Sequence, residues 1–457
     1  MSGGTDSFGC VSERWSRDQV LGLAPDAASA KAAGSVAKPA KWGGTGCDDE
    51  AVWGECQGSG KSVYRAGVDL TEPAFRCSCP SRKIPCKHVL GLLLLWAAGS
   101  VEDGPRAGWV AEWLAERRER AGRAARRRAA AAGESGDEGA GDGRGKDPKT
   151  AERRERRVED GLAELDRWLR DQVAHGLAQA EKAPYRLWDD AARRLVDAQA
   201  GGLAGPVKGL AAIPRTPGWP DRLLEEYALL RLLVRAHRRR DELPQGLRET
   251  VRSRVGFTVP QDEVVSGGER VRDHWCVTGS RDTAQDLLTT RRVWLRGRRT
   301  GRPALVLSFS APGTSLDASL IVGTEVDAEL AFYPGAQPLR ALVAERSGAA
   351  VPAAPGGTSV QEFLDEHAAA LARDPWLDRW PATLENVRLA RAEGGGLYAT
   401  DLYATDEAGD ALPLRMADPW RLLALSGGGP VTLAGEWRPR GLRPLAAWHE
   451  TEGTVIL

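Results

Sequence analysis

Four side chains with metal-binding groups lie close together in this chain, and their spacing limits what the segment around them can fold into. Cys77 and Cys79 are two positions apart, and so are Cys86 and His88. Residues two apart do not share a helix face, so each pair must lie on a turn or at a strand end. Three thiolates and one imidazole form a donor set of closed structural zinc sites. We therefore expect these four residues to bind one Zn²⁺, the alternative being four uncoordinated side chains.

The segments on either side of these residues predict a hairpin and a buried helix. Residues 52–57 and 62–70 have strand character and flank a Gly-rich turn, a pattern typical of a β-hairpin that leads toward Cys77. Residues 89–98 are apolar on nearly all sides, which predicts a buried helix with His88 in or near its first turn. Cys77 and Cys79 are thus expected to follow the hairpin, and Cys86 and His88 to begin the helix.

The hairpin turn also contains a pattern that resembles part of a phosphate-binding loop. Gly-Ser-Gly-Lys-Ser at residues 58–62 matches the end of that motif, but the motif requires glycine at position 55, where this chain has glutamate. It also requires a helix after the lysine, whereas the following residues have strand character. The pattern therefore favours a hairpin turn over a nucleotide site.

The order Cys-x-Cys, short loop, Cys-x-His, between a predicted hairpin and an apolar helix, resembles the SWIM zinc finger. Cys77, Cys79, Cys86 and His88 match its four ligands without departure, and the resemblance covers residues 52–96. It implies a ββα fold that binds one zinc ion and contacts DNA or protein. The rest of the chain resembles bacterial SWIM-containing proteins of actinobacterial type. That resemblance implies a partner such as a MoxR-like ATPase, which is an AAA-type ATPase, or a von Willebrand factor A-like protein.

Length, charge and cysteine content bound the remaining possibilities. A chain of 457 residues predicts two or three domains, and a formal net charge of zero restricts any nucleic-acid site to a local patch. The N-terminal residues lack the features of a signal peptide, and no apolar run approaches the roughly 20 residues that span a bilayer. Seven cysteines, an odd number, are expected to be thiols or metal ligands. We therefore expect a cytoplasmic protein without a membrane segment.

Changes in residue pattern divide the chain into five predicted segments, and the expected fold class is a multidomain α+β protein. The segments are a short helix with a loose remainder (1–51), a SWIM-type zinc finger of ββα fold (52–100), a charged flexible linker (101–149), a helical domain (150–256) and a β-rich α+β domain (257–457). Within the linker, the Arg-rich part at 117–128 favours a solvated helix, and the Gly-rich acidic part at 132–149 favours a flexible chain. The helical domain is expected to be a bundle or a small helical-repeat array.

The β-rich segment contains several local signals. Residues 292–295 and 304–309 predict a hairpin, residues 360–371 a helix, and residues 431–457 a small terminal sheet. Leu-Tyr-Ala-Thr-Asp occurs twice in succession, at 397–401 and 402–406, which favours an enlarged loop or hairpin tip.

Two groups of basic residues are candidate contacts for nucleic acid or for a protein partner. One group flanks the metal ligands and consists of Arg76, Arg82, Lys83 and Lys87; the other lies on the predicted hairpin and consists of Arg296, Arg298, Arg299 and Arg302. The alternative interpretation of the finger cations is that they only offset the negative charge of the zinc centre and make no contact with a partner. The alternative interpretation of the hairpin cations is that they protect a sheet edge.

Catalysis has little support in the sequence. The chain has no His-Glu-x-x-His or Gly-x-Ser-x-Gly motif, and four protein ligands leave no open position on the zinc. His175 and His237 are interpreted as ordinary helix residues. We therefore predict a non-enzymatic, zinc-binding interaction protein that acts as an adaptor for a protein or nucleic-acid partner in a larger assembly. The alternatives are a dedicated DNA- or RNA-binding protein that uses the finger and the Arg-rich hairpin, and an enzyme in the C-terminal domain.

Overall fold

A computed structural model of the chain describes residues 14–58, 60, 62–133, 148–285, 288–311, 316–391 and 402–457. These residues form a four-stranded sheet with helices packed on it, a helical domain, and a closed five-stranded barrel adjoining a six-stranded sheet. The predicted multidomain α+β fold class is confirmed. Within the ranges just given, no helix is both long enough and apolar enough to cross a membrane.

The N-terminal unit consists of helices and one antiparallel sheet. Its elements are α1 (Arg17–Gly22), α2 (Ala27–Val36), β1 (Trp42–Cys47), β2 (Ala51–Gln57), β3 (Val63–Asp69), β4 (Ala74–Cys77), α3 (Lys87–Ala97) and α4 (Gly108–Gly133). The prediction of one short helix and a loose remainder before residue 52 is wrong. Ser16 and Asp26 cap two successive helices with their side chains, and β1 then pairs with β2.

The predicted hairpin is confirmed as β2 and β3, which pair from Ala51↔Asp69 to Gln57↔Val63. Its turn leads into a strand, as expected for a hairpin and not for a phosphate-binding loop. Residues 59 and 61 of that turn lie outside the described residues. The hairpin does not itself deliver the chain to Cys77, because β3 ends at Asp69 and a further strand, β4, pairs back on it.

Helix α3 is the core of the N-terminal unit. Leu90, Leu92 and Leu93 are fully buried, because β2 and β3 cover one side of the helix while α1 and α2 cover another. Burying each such side chain contributes about 1.5–3 kcal/mol. Gly91 permits the close approach of α2, since a Cβ there would lie 2.7 Å from Cγ2 of Val36. The predicted buried helix is confirmed.

Helix α4 begins on the opposite side of the finger sheet. Val110, Trp113 and Leu114 are buried against Ala51 and Trp53. A flexible linker is therefore the wrong prediction for the start of this helix, since apolar contacts hold it on the sheet.

Ion pairs strengthen the same attachment. Arg117 Nε lies 3.1 Å from Asp69 Oδ2, and Arg118 Nη2 lies 2.7 Å from Glu50 Oε2. The predicted helix at 117–128 is confirmed as part of α4. The Gly-rich acidic residues 134–147 lie outside the described residues.

The predicted helical domain follows the N-terminal unit in the chain. Its helices are α5 (Pro148–Ala174), α6 (Gln179–Lys182), α7 (Tyr185–Asp197), α8 (Ala204–Gly209), α9 (Trp219–Arg238) and α10 (Gln245–Val255). Trp168 and Trp188 meet edge to face in its core, with ring centroids 5.7 Å apart. Helix α5 ends at Ala174, two residues before Gly176, whose φ of 89° lies in the left-handed region.

The two histidines of this domain differ in environment. His175 is exposed, whereas His237 is fully buried on α9 and stacks near Phe257. Neither ring nitrogen of His237 has a hydrogen-bond partner among the described residues, and burial lowers the pKa of this imidazole. His237 is therefore a neutral core residue at neutral pH.

The C-terminal part contains the barrel and the second sheet. Helix α11 (Gln261–Gly267) precedes the barrel strands β5 (Glu269–Gln285), β6 (Leu288–Gly297), β7 (Pro303–Ser310), β8 (Thr324–Phe332) and β9 (Arg340–Pro352), which close in the order β5-β6-β7-β9-β8. The remaining elements are α12 (Val360–Arg373), β10 (Trp380–Arg391), β11 (Leu402–Thr405), β12 (Ala411–Pro413), α13 (Trp420–Ser426), β13 (Val431–Arg438), β14 (Gly441–His449) and β15 (Gly453–Ile456).

Several local predictions for this part are confirmed. The Arg-rich hairpin is β6 and β7, the predicted helix is α12, and the terminal sheet is the β13-β14-β15 portion of the six-stranded sheet. The first copy of the repeated pentapeptide lies outside the described residues, while the first four residues of the second copy form the whole of β11 and not a loop.

The N-terminal unit and the helical domain both form hydrogen bonds with the C-terminal part. Gln19 Nε2 of α1 donates to the carbonyls of Val322 and Gly323 at 3.1 and 3.0 Å. From the helical domain, Leu229 accepts a 3.0 Å hydrogen bond from Nε1 of Trp376. Both contacts are buried or partly buried, so the N-terminal unit and the helical domain each pack on the C-terminal part.

Candidate metal centre

The four predicted ligands come together at the junction of β4 and α3. Cys77 ends β4 and Cys79 follows it, whereas Cys86 is the N-cap of α3 and His88 lies in its first turn. Their ligand atoms all lie within 4.8 Å of one another. Cys77 Sγ and His88 Nδ1 are 3.8 Å apart.

This arrangement fits a zinc ion. With bonds of about 2.3 Å to sulfur and about 2.0 Å to nitrogen, tetrahedral geometry separates the two atoms by about 3.5 Å, close to the 3.8 Å between Cys77 Sγ and His88 Nδ1. Three sulfurs and one nitrogen are also the donors that a structural zinc site uses. The four residues can therefore hold one Zn²⁺ after small adjustments, and they occupy all its coordination positions.

The start of α3 favours negative charge at the cluster. A hydrogen bond with the Cys77 thiol lowers the pKa of Cys86 well below its usual range, and the backbone N–H of Val89 lowers it further. The same thiol contact raises the pKa of Cys77. These contacts favour negative charge on the thiol group at the helix start, and zinc binding displaces the protons that remain on the cysteines. A Zn²⁺ with three thiolates carries a charge of minus one, which the helix N-terminus stabilises.

Tyr64 is a part of the site that the sequence did not reveal. Its ring stacks on His88, with centroids 4.9 Å apart and planes inclined at 30°. His88 is itself buried, so the stacked Tyr64 ring restricts the rotation of its imidazole. The alternation of side chains along β3 is the signal that could have indicated this contact. Tyr64 and Ala66 lie on the same face of β3, and Ala66 is opposite Cys77 on β4.

The basic residues beside the ligands differ in their pairing. Arg76, Arg82 and Lys87 are exposed, and in the described part of the chain none of the three forms an ion pair. Lys83 Nζ lies 2.6 Å from Oδ2 of Asp26, the N-cap of α2, and this contact lowers the pKa of Asp26 to about 2. Contacts to nucleic acid or protein by these four residues stay predictions.

The hairpin arginines, in contrast, are all bound within the barrel and its neighbours. Arg296 pairs with Glu366 at 2.7 Å, Arg302 with Glu269 at 2.5 Å, Arg298 with Glu325, and Arg299 donates to the Arg272 carbonyl at 2.6 Å. Each guanidinium is thus occupied by an internal acceptor. A partner contact by this hairpin also stays a prediction, and it would have to compete with these bonds.

A strand end and a helix start that together hold three cysteines and one histidine define a zinc finger. Among protein-family models, the SWIM zinc finger matches residues 75–97, and the SWIM-associated four-helix bundle domain matches residues 153–255. The chain is therefore a protein with a SWIM zinc finger and its associated helical bundle, and the finger has a site for one zinc ion. No curated protein and no solved structure matched the chain. Because the four-helix bundle domain matches residues 153–255, the helical domain is a bundle and not a repeat array.

Proposed function

We propose that this protein is a non-enzymatic adaptor whose finger binds a protein partner within a larger assembly. The observation that carries the proposal is the group of exposed, unpaired cations beside the closed metal centre: Arg76, Arg82 and Lys87 form no ion pair in the part of the chain that the structure describes. These three residues and the exposed Ile84 are referred to below as the finger surface. The zinc-binding interaction domain is identified by its family, whereas the adaptor role and the partner are our proposal.

The zinc site supports a structural role for the metal. All four donors come from the protein, so zinc has no position left for water or substrate. Its function is to hold the loop between Cys79 and Cys86 against α3. The finger surface lies on and around that loop, so zinc binding determines its shape.

The composition of the finger surface favours a protein partner. Ile84 is 50% exposed and lies among the three cations in the sequence. An apolar side chain surrounded by basic residues is typical of a protein interface with an acidic partner. Three cations are few for a nucleic acid, whose affinity depends on the number of phosphates neutralised. An AAA-type ATPase of the MoxR-like kind or a von Willebrand factor A-like protein is the proposed partner, and the cytoplasm is the proposed location.

A charge-reversal experiment tests this proposal. The triple variant Arg76→Glu, Arg82→Glu and Lys87→Glu should retain zinc but lose a stoichiometric partner that the wild-type chain retains in affinity purification from its native cells. The matched control reverses three exposed cations of the C-terminal domain, namely Arg373→Glu, Arg391→Glu and Arg440→Glu, and should keep the partner.

The same proteins distinguish the nucleic-acid alternative. The adaptor proposal predicts no binding of DNA or RNA even at about 50 mM salt, where phosphate contacts are strong. Binding that weakens steeply with salt and is lost in the finger variant would instead show a DNA- or RNA-binding protein. A purification without any stoichiometric partner would also contradict the adaptor role.

A further inference from the structure

A buried carboxylate lies among several arginines where the barrel meets the six-stranded sheet. The Glu436 side chain is fully buried, and four guanidinium groups lie within ion-pair distance of its oxygens. The nitrogen–oxygen distances are 2.9 Å for Arg438, 3.6 Å for Arg292, 3.8 Å for Arg379 and 3.9 Å for Arg281. This group is called the arginine cluster below.

Strand register explains why these side chains meet. Arg281 and Arg292 are direct partners on β5 and β6, so their side chains share one face of the barrel wall. Glu436 and Arg438 are two positions apart on β13 and likewise share a face. Packing of β5 against β13 and β14 brings the two faces together. Four of the five cluster members therefore lie on strands, whereas Arg379 immediately precedes β10.

The positive charge of the cluster exceeds its negative charge. Among the described residues, Asp378 provides the second carboxylate of this group by pairing with Arg379. Four arginines and two carboxylates leave a formal surplus of two positive charges. Arg443, opposite Glu436 on β14, adds a third charge close enough to influence Arg281. Burial lowers the pKa of Arg281 and Arg292, and the neighbouring arginines lower it further, which is the effect expected of uncompensated cations.

The cluster also contains hydrogen-bonding groups that its own members do not satisfy. Arg292 Nε, Arg379 Nη1 and Glu436 Oε2 are buried, and none has a hydrogen-bond partner among the described residues. Their mutual distances of 3.6 and 3.8 Å exceed those of a hydrogen bond. Burying such donors is costly unless an acceptor is supplied. Arg438 remains 42% exposed, so the cluster is open to solvent on its side.

We propose that the arginine cluster is a binding site for a phosphate group, carried by inorganic phosphate or a small phosphate ester. Guanidinium groups match phosphate oxygens with paired hydrogen bonds. A phosphate monoester carries about −1.5 to −2 charges at neutral pH and therefore offsets more of the surplus than a carboxylate, which carries one. This site is separate from the finger surface, and the proposal is independent of the adaptor role.

Isothermal titration calorimetry of the zinc-loaded full chain tests the assignment, with inorganic phosphate as the probe and sodium chloride holding ionic strength constant. The wild-type chain should bind one phosphate. Arg438→Gln and Arg281→Gln should each weaken that binding about tenfold or more, since loss of one charge-assisted hydrogen bond typically has an effect of this size. Arg186→Gln, an exposed arginine on α7, removes the same charge elsewhere and should bind as the wild type does.

Four outcomes would overturn the assignment. One is the absence of phosphate binding by the wild-type chain. Another is binding that Arg438→Gln and Arg281→Gln leave unchanged while thermal melts show both variants to be folded. The third is acetate binding as tightly as phosphate, which would identify a carboxylate site. Binding of single-stranded DNA without binding of inorganic phosphate would likewise contradict a small phosphate as the ligand.

Discussion

Replacing Cys77 with serine is expected to remove the zinc ion and unfold the N-terminal unit. Structural zinc contributes on the order of 10 kcal/mol of apparent binding free energy, which is comparable to the stability of a whole domain. Without the metal, the loop between Cys79 and Cys86 loses its attachment to α3, and three thiols and an imidazole are left beside the Leu-rich core. Elemental analysis should find less than one zinc per chain, and hydrogen exchange should lose protection in α3.

Cys56→Ser is the matched control for this variant. Cys56 is fully buried in β2 of the same unit but is not among the metal ligands. It should keep one zinc per chain and the protection of α3, with only a small loss of stability. Full zinc content in Cys77→Ser would contradict the assignment of this ligand.

Replacing Glu436 with glutamine is expected to lower the free energy of unfolding by about 3–5 kcal/mol, since breaking a buried ion pair leaves charge uncompensated. The shape of the side chain is kept, so the loss comes from charge and not from a cavity. Among the described residues, Asp378 would then be the carboxylate still paired with the cluster, and it contacts Arg379. Urea denaturation followed by circular dichroism would measure the change, provided that the transition of the C-terminal part is resolved.

Glu385→Gln removes the same charge from an exposed position and should change stability little. If phosphate binds the arginine cluster, it should restore part of the stability lost in Glu436→Gln, because it supplies negative charge to the same guanidinium groups. A Glu436→Gln variant as stable as the wild-type chain would show that the cluster is not strained by its charge.

Local sequence signals predicted the elements that depend on short-range patterns. Leu162, Leu165 and Leu169 recur at helical spacing, and α5 buries all three. The paired cysteines and histidine predicted the metal centre because their chemistry and spacing lie within one short segment. Such features need no knowledge of distant contacts.

Other features depend on partners far away in the chain and had no local signal. Strand β1, Trp-Gly-Gly-Thr-Gly-Cys, has the glycine content of a turn and becomes a strand only because β2 pairs with it. The start of α4 preceded an Arg-rich stretch that indicated solvent exposure, yet its tryptophans dock on the sheet. Arg281 and Glu436 meet through the packing of β5 on β13, which no sequence period encodes.

The proposed zinc ion is fully coordinated by four protein side chains and determines the shape of the finger surface. X-ray absorption spectroscopy at the zinc edge of the full chain tests it directly. We expect each zinc ion to have three sulfur neighbours at about 2.3 Å and one nitrogen neighbour at about 2.0 Å. A spectrum with an oxygen neighbour from water, or with fewer than three sulfurs, would contradict it and would indicate an open site suited to catalysis.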